Sequence, residues 1–371
     1  MKVETLTFGP GSPGLRHQLT VLHFGQPGSG PKAYIQAALH ADEVPAMLVA
    51  HHLRSQLQAL DGAGQIVGEV VLVPFANPLG LAQRVLGQHV GRFDLRDGVN
   101  FNREVPDLTE AVAAAVEGRL GDDAAANVAL VRQALRDAAA ALTAAHPAAD
   151  LKRRLLQLAV DADIVLDLHT DADALLHLYG LTPQQGLCEE LGALLGARAI
   201  LLATDCGDCP FDEACSRPWL ALQQRFAAHP LPLACFATTV ELRGAADTDH
   251  RLAQQDAAAL IEFLRRRGVV LGTPGALPPL LCQATPLAGC EPLLALASGV
   301  LVFSRDPGER IEAGGTVAEI VDVESGTTHA VRAQAAGLLF ARIDTRWATA
   351  GKPVAKIAGQ QALRSGKLLG D

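Results

Sequence analysis

The sequence predicts an α/β protein in which helices cover both faces of a mostly parallel sheet, followed by a small all-β C-terminal domain. Over residues 1–270, short apolar runs typical of buried strands alternate with longer segments whose apolar residues recur at helical spacing. Such alternation is typical of parallel sheets with helices on both faces. After Val270 the helical spacing stops, and short strands separated by glycine-containing turns follow.

The composition and the spacing of apolar residues predict the individual strands and helices. β-branched and apolar runs indicate strands, whereas apolar residues three and four apart indicate helices. The predicted strands are 32–39, 67–74, 163–168 and 234–241, and the predicted helices are 43–60, 108–145 with a break near Gly121, 211–228 and 248–267. We therefore assign residues 1–270 to the α/β domain.

The C-terminal part begins with a proline-rich segment, 271–292, which can continue neither a helix nor a central strand and is predicted to be a linker. Short strands within 299–303, 315–321 and 337–340 then predict a small β-barrel or sandwich over 293–371. Its turn spacing resembles a biotinyl/lipoyl-type barrel. Because no lysine lies between Arg305 and Trp347, we expect a role in structure or homo-oligomer formation instead of a swinging arm.

The composition excludes several functional classes. The chain has 371 residues, a net charge of -9 and only 4% aromatic residues, so no nucleic-acid partner is expected. No apolar run reaches the roughly 18 residues that a membrane span needs. The first residues also lack the apolar core of a signal peptide. We therefore expect a cytoplasmic protein without a membrane partner.

Three of the seven cysteines, Cys206, Cys209 and Cys215, lie close together in the sequence. A structural zinc site needs four ligands, usually two such pairs, and no second pair is present. We therefore expect an ordinary loop with reduced thiols, with a metal knuckle or a redox pair as the alternatives.

A first candidate ligand pair is His40 and Glu43. His40 follows a predicted buried strand, and Glu43 comes three residues later, in the first turn of the next predicted helix. A strand-to-helix turn can direct an imidazole and a carboxylate at one point, and zinc accepts both. Short motifs are weak signals by themselves. The alternative is a hydrogen-bonded histidine beside a glutamate that the helix dipole favours.

His169 directly follows the predicted strand 163–168, and Glu241 ends the predicted strand 234–241. Ligands gather at the carboxyl ends of parallel strands, so His169 is placed as a third metal ligand. Asp167 or Asp171 could bind its second ring nitrogen. The alternative for His169 is an edge histidine with a helix cap at Asp171. Glu241 stands where a general base would be needed, although a lone carboxylate at a strand end is often only solvated.

Two loop-like stretches, 77–84 and 98–107, carry arginines. Arg103 could bind a substrate carboxylate in bidentate fashion, with Asn102 as an additional donor. Arg84 could face a carbonyl oxygen on which negative charge develops. A surface salt bridge is the alternative for each arginine.

The order of these signals is more specific than any one of them. A His-x-x-Glu, an Asn-Arg, a strand-end histidine and a strand-end glutamate resemble the zinc carboxypeptidase superfamily. The series more closely resembles its succinylglutamate desuccinylase/aspartoacylase family, over residues 32–267. This resemblance implies a carboxypeptidase-like fold and one Zn²⁺ per chain, held by His40, Glu43 and His169. It also implies that Glu241 is the general acid and base.

The resemblance further implies that Asn102 and Arg103 bind substrate and that Arg84 polarises the carbonyl group. The implied activity is zinc-dependent hydrolysis of an amide bond in a small carboxylate-bearing N-acyl amino acid, with metal-activated water as nucleophile. Ala41 stands where this family commonly has glycine, which disfavours a positive φ there. The alternatives are a metallocarboxypeptidase acting on peptides, a non-catalytic zinc-binding module, and an α/β protein without a metal.

Overall fold

The computed structural model describes residues 1–369, except the side chains of residues 10–12. It confirms the predicted fold class: a large mixed sheet, most of whose strand pairs are parallel, carries helices on both faces, and antiparallel sheets follow. The helices are α1 (Val44–Gly62), α2 (Pro78–Leu81), α3 (Thr109–Val116), α4 (Ala124–Ala141), α5 (Pro147–Ala159), α6 (Gln185–Leu195), α7 (Phe211–Arg225) and α8 (His250–Arg266).

The strands up to residue 286 are β1 (Lys2–Ser12), β2 (Leu15–Gly25), β3 (Lys32–Ala37), β4 (Glu69–Val73), β5 (Arg84–Val85), β6 (Gln88–His89), β7 (Ile164–Asp171), β8 (Asp173–Ala174), β9 (His177–Leu181), β10 (Ala199–Ala203), β11 (Phe236–Gly244) and β12 (Ala284–Pro286). The large sheet has the order β1-β2-β4-β3-β7-β11-β9-β10-β12. Strands β4, β3, β7 and β11 are mutually parallel at its centre. The carboxyl ends of β3, β7 and β11 therefore meet at one edge.

Apolar side chains hold the helices to both faces of this sheet. Leu53 of α1 and Leu260 of α8 pack in the core on one face. Val131 of α4, Leu155 of α5 and Trp219 of α7 pack in the core on the other. Burial on both faces explains the nearly continuous apolar runs of β3, β4 and β7.

The strand ends differ by a few residues from the sequence prediction. Strand β3 stops at Ala37 because Ala38 takes φ +58, so His40 lies in the following turn. Glu43 is the N-cap residue of α1, not part of its first turn. Strand β7 continues past His169, and β11 continues past Glu241, because the two strands stay paired in parallel at that position.

The remaining strands are β13 (Cys290–Leu294), β14 (Gly299–Phe303), β15 (Arg310–Ile311), β16 (Thr316–Val321), β17 (Thr328–Arg332), β18 (Gly337–Arg342), β19 (Trp347–Ala348) and β20 (Pro353–Gly359). They form two antiparallel sheets, β13-β20-β18-β15 and β17-β16-β14-β19, with a shared apolar core. Strand β8 pairs with β18 and so joins this part to the end of β7.

Residues 271–292 contribute β12 to the large sheet and the first residues of β13 to the C-terminal part. The division into residues 1–270, 271–292 and 293–371 stays a prediction. Within the described part of the chain, no helix combines the length and the apolar character needed to cross a membrane.

Candidate functional site

His40 and Glu43 lie on the turn between β3 and α1. The left-handed conformation of Ala38 (φ +58) redirects the chain after the strand. The Asn77 side chain then holds this turn, because its Nδ2 donates to the carbonyl of Leu39 at 2.9 Å. Both candidate ligands are buried, with 3% exposure for His40 and 6% for Glu43.

Glu43 bridges two imidazoles. Its Oε1 lies 2.8 Å from Nδ1 of His40, and its Oε2 lies 2.8 Å from Nδ1 of His169. One ligand atom from each of the three residues lies within 4.8 Å of the others. The carboxyl-end turn of β3 and the strand β7 therefore bring together a His–Glu–His cluster that could hold a metal ion.

The second nitrogen of His40 shows that this cluster fits a cation. Nε2 lies 2.8 Å from Oδ1 of Asn100, an oxygen that also accepts the Asn102 backbone N–H. Because that amide oxygen can only accept, His40 donates through Nε2 and presents the lone pair of Nδ1 to Glu43. Two acceptors 2.8 Å apart repel each other unless a proton or a cation lies close to both, and here the Arg92 guanidinium lies within 3.2 Å of each.

His169 has a comparable environment. Asp167 Oδ2 lies 3.0 Å from its Nε2, as expected for the carboxylate that orients a metal-bound imidazole. Asp167 is held in turn, because Gln36 Nε2 donates to its Oδ1 at 2.9 Å. Tyr34 then donates to Gln36 Oε1 at 2.7 Å, which extends the network into the core.

The charges of the cluster depend on one another. Desolvation opposes the charge on Glu43, but the two imidazoles hold the pKa of its carboxyl well below the ordinary value. Desolvation, and then the Arg92 guanidinium, lower the pKa of His40. Desolvation also opposes a charge on His169, but Asp167 and Glu43 raise its pKa well above the ordinary value.

Glu241 lies beside this cluster. Its position in β11 is directly opposite His169 in β7. Burial and then the Glu43 carboxylate raise the pKa of Glu241 to about 8. Its Oε2 has no hydrogen-bond partner among the described residues. The side chain is therefore available to exchange a proton with a molecule bound next to His169.

Asn102 also reaches the cluster, and Arg103 follows it directly. Asn102 Nδ2 lies 3.4 Å from Nε2 of His169, and its Oδ1 accepts the Phe211 backbone N–H at 2.9 Å. Arg103 is half-buried and donates to the Asn102 carbonyl at 2.8 Å. Desolvation, and then Arg92, lower the pKa of the Arg103 guanidinium.

The structure does not bring Arg84 to the cluster. Arg84 is exposed in the β5–β6 hairpin, where its guanidinium donates to the carbonyls of Leu81 and Gln83 at 3.0 Å each. Arg92 takes the nearby position instead: its NH1 lies 3.1 Å from Nδ1 of His40 and 3.2 Å from Oε1 of Glu43. Sequence reasoning missed Arg92, although it lies in the same long loop as Asn102.

The clustered cysteines lie outside this arrangement. Cys206, Cys209 and Cys215 are free thiols, and none belongs to a metal-binding group among residues 1–369 for which side chains are described. Burial raises the pKa of Cys209 to about 12, and it also raises the pKa values of Cys206 and Cys215. Such thiols are poor nucleophiles at neutral pH.

Comparison with known proteins supports a single family. Residues 29–267 match the succinylglutamate desuccinylase/aspartoacylase catalytic domain. A family protein of Shewanella amazonensis SB2B is 25% identical, with a TM-score of 0.84 and coverage of 96% of this chain and 98% of that chain. One from Shewanella frigidimarina NCIMB 400 is 24% identical, with a TM-score of 0.86 and coverage of 96% and 97%. Among curated proteins, none matches significantly.

The fold extends to more distant proteins. The ectoine utilization protein EutE of Ruegeria pomeroyi, in a product-bound structure, is 17% identical, with a TM-score of 0.66 and coverage of 97% of this chain and 95% of that chain. The family match covers well over half of the chain, which confirms the resemblance inferred from the sequence. This chain therefore belongs to the succinylglutamate desuccinylase/aspartoacylase family, whose members are deacylases that hydrolyse amide bonds.

Proposed function

We propose that this chain is a zinc-dependent amide hydrolase that removes the acyl group from a small N-acyl amino acid with a free carboxylate. The observation that carries the proposal is the buried cluster of His40, Glu43 and His169, with Glu241 opposite His169 on the next strand. One Zn²⁺ per chain and a cytoplasmic location belong to the same proposal.

The ligand set favours zinc. Two imidazoles and one carboxylate are the protein ligands of many catalytic zinc sites. Zinc held there would supply Lewis acidity and lower the pKa of water towards 7. Asn100 and Asp167 would keep the two rings in the orientation that the ligands need.

Glu241 is proposed to move the proton. In its carboxylate form, which the positive charge of bound zinc would favour, Glu241 accepts a proton from the attacking water as general base, and as general acid it passes that proton to the departing amine nitrogen. Its position beside His169 and its unpartnered Oε2 support this role.

Arginines are proposed to bind and polarise the substrate. Arg103, with Asn102, would bind the free carboxylate and so fix which amide bond reaches the cluster. Arg92 contacts both His40 and Glu43, so we propose that it stabilises the negative charge that develops on the carbonyl oxygen. Arg84, which the family resemblance suggested for this task, is retained as the alternative.

A hydrolysis screen tests the proposal. The zinc-loaded protein is incubated with succinyl-, acetyl- and formyl-amino acids and, separately, with blocked dipeptides. We expect release of the free amino acid from at least one N-acyl amino acid, and loss of this activity after chelation with recovery on adding zinc. Faster cleavage of dipeptides would indicate a metallocarboxypeptidase. Zinc binding without turnover of any substrate would indicate a non-catalytic module.

The substitution Glu241→Gln separates catalysis from metal binding. It keeps the shape of the side chain but removes its basicity, so we expect turnover to fall by about 100-fold or more. Elemental analysis should find the same zinc content as in the unaltered protein. A protein purified at neutral pH without chelator that contains no metal would contradict the zinc proposal.

A further inference from the structure

Lys152 of α5 is a buried cation that the mechanism above does not use. Its side chain is 7% exposed, and its Nζ donates to the carbonyls of Asn100 at 3.1 Å and of Arg103 at 2.5 Å. Among the described residues, no carboxylate forms a salt bridge with it. Burial lowers the pKa of Lys152, although nearby acidic groups such as Glu104 oppose this. The hydrogen-bond partners of the Lys152 ammonium group are therefore peptide carbonyls and not carboxylates.

These two carbonyls are the ends of the segment 100–103, which contacts both imidazoles of the cluster. Asn100 Oδ1 lies 2.8 Å from Nε2 of His40, and Asn102 Nδ2 lies 3.4 Å from Nε2 of His169. Arg103 is the last residue of the same segment. A displacement of the segment would therefore move all three of these groups.

Contacts from other parts of the chain hold the segment: the Phe101 N–H donates to the Arg92 carbonyl at 3.1 Å, Asn102 Oδ1 accepts the Phe211 N–H at 2.9 Å, and Lys152 donates to the carbonyls at both ends. The segment is not part of a helix or a strand, and it is followed by Glu104 with the left-handed φ of +54, a conformation that non-glycine residues rarely adopt. Behind it lies a cavity of about 180 Å³, lined in part by Phe101, Leu142 and Lys152.

We propose that Lys152 is a positioning residue that fixes segment 100–103 against the two ligand histidines. It acts through the carbonyls of Asn100 and Arg103 and touches neither metal nor substrate. The part that concerns Arg103 and the substrate carboxylate rests on the proposed deacylase activity, whereas the part that concerns the histidines rests only on the zinc site of that proposal.

Zinc affinity tests the part of the proposal that concerns the two histidines, without any assay of activity. Residues that orient metal ligands typically contribute about tenfold or more to affinity, so Lys152→Met should raise the Kd for zinc by at least that factor. Competition with a chromophoric chelator measures it. The matched control is Arg153→Met, on the same helix and the same cavity, because Arg153 pairs with Asp150 instead of the segment. The control should change the Kd by less than twofold.

Chemical rescue shows whether Lys152 supports zinc affinity through the N–H donors of its ammonium group. Lys152→Ala removes the equivalent of one n-propylammonium, so adding n-propylammonium should restore most of the zinc affinity. Tetramethylammonium, which has the charge but no N–H donor, should not. Unchanged affinity in Lys152→Met, or equal effects of both cations, would overturn the proposal. Failure of both variants to fold would also overturn it, because Lys152 would then serve the whole fold.

The kinetic readout separates this inference from the proposed function. On the substrate found in the hydrolysis screen, Lys152→Met should raise KM more than it lowers kcat at saturating zinc, because Arg103 is displaced. A zinc effect without any hydrolysis by the unaltered protein would leave the positioning role intact and reject the proposed function. Hydrolysis by the unaltered protein, with zinc affinity and kinetics unchanged in Lys152→Met, would support the proposed function and reject the positioning role.

Discussion

At the scale of single residues, the hydrogen bonds of Glu43 hold the two imidazoles of the site in place. Each of its oxygens faces a different imidazole, and Oε2 also accepts the Thr170 backbone N–H at 2.9 Å. This third contact ties the carboxylate to β7 as well as to α1. A carboxylate held at both oxygens leaves its two histidine partners little freedom, so Glu43 fixes the positions of the two candidate ligand imidazoles relative to each other.

His169→Ala should therefore abolish metal retention. The substitution removes one of the three proposed ligands and also releases Glu43 Oε2 and Asp167 from their partner. We expect zinc content near zero after dialysis, with no measurable hydrolysis. His250→Ala, which removes an exposed histidine at the start of α8, serves as the control and should retain full zinc. Unchanged zinc content in His169→Ala would show that the third ligand is misassigned.

Arg92→Met and Arg84→Met form a second pair of variants. Arg92 contacts the ligand cluster, whereas Arg84 contacts only nearby backbone carbonyls among the described residues. Removing a donor to a developing oxyanion typically costs about 100-fold or more in kcat. We expect a loss of that order for Arg92→Met and less than threefold for Arg84→Met, measured at saturating zinc. The opposite ranking would restore the role that the sequence suggested for Arg84.

Residue type and order alone predicted which residues would form the cluster. His40, Glu43 and His169 follow or end apolar runs, and the ends of parallel strands meet by necessity. Arg92 and Lys152 could not be found in this way. The first depends on the path of a long irregular loop, and the second acts from a helix through backbone carbonyls, which leave no signature in the sequence.

At the scale of elements, the turn after β3 packs directly against the loop that carries Arg92. The Ala41 N–H donates to the Gly91 carbonyl at 3.1 Å. A methyl group on Gly91 would lie 2.4 Å from the Asp42 nitrogen, closer than real contacts allow. Two backbone segments can approach this closely only when one residue lacks a side chain.

Gly91→Ala should consequently disturb the metal site from outside it. Either the loop or the turn that carries His40 must shift, so we expect zinc affinity to fall by about tenfold. Gly186→Ala, where a methyl group would meet open space, is the matched control and should leave the affinity unchanged. An unaltered Kd in Gly91→Ala would mean that the turn tolerates the displacement.

His23 provides a pH-dependent contact on the antiparallel side of the large sheet. Its Nε2 lies 2.9 Å from Glu4 and its Nδ1 lies 3.2 Å from Glu69, which ties β2 to β1 and β4. The hydrogen bond to Glu69 raises the pKa of His23, although desolvation opposes this and Glu4 adds to it. The resulting stabilisation is present below the ordinary histidine pKa of about 6.5 and is lost as pH rises through the raised value.

His23→Gln should therefore destabilise the protein mainly in acid. We expect a loss of about 0.5 kcal/mol in the free energy of unfolding near pH 5.5 and almost none near pH 9. Urea denaturation at both pH values measures it, with His17→Gln on the same strand as the control. An equal loss at both pH values would show that packing, not charge, explains the effect.

At the scale of the whole molecule, Arg342 ties the C-terminal sheets to β8, the two-residue strand that follows β7 of the large sheet. Its Nε lies 2.7 Å from Asp173 of β8, its NH1 lies 2.8 Å from Asp306, and its guanidinium lies 5.0 Å from the Phe303 ring centre. Lys356 of β20 forms a second ion pair of this kind, with Asp171 at the end of β7. Both pairs lie close to the strand that carries His169.

Arg342→Met should weaken this junction. We expect a loss of about 2 kcal/mol in the free energy of unfolding, between the values typical of exposed and buried ion pairs. Faster proteolysis within residues 271–283 would accompany it. Arg310→Met, at an exposed position on β15, is the control and should change neither quantity. Unaltered stability in Arg342→Met would show that the β8–β18 pairing and the Lys356–Asp171 ion pair are sufficient to hold the junction.

The order of helices and strands predicted the architecture of the molecule, including its C-terminal all-β part, because period and composition report local structure directly. The cross-connections were not predictable. Strand β8 has two residues and β12 has three, so neither produces a recognisable period. Pro286 at the end of β12 disfavoured a strand prediction, because proline cannot donate a hydrogen bond to a neighbouring strand. It is tolerated there because β12 is an edge strand of the large sheet.

The position of β12 at the end of the large sheet has a practical consequence. The catalytic-domain match ends at residue 267, whereas β12 pairs with β10 from residues 284–286. A chain shortened to the matched region would keep every candidate ligand but would leave the backbone of β10 without its neighbour. Open strand edges of this kind promote association between molecules. Poor solubility, not altered chemistry, should then be the first property of such a fragment.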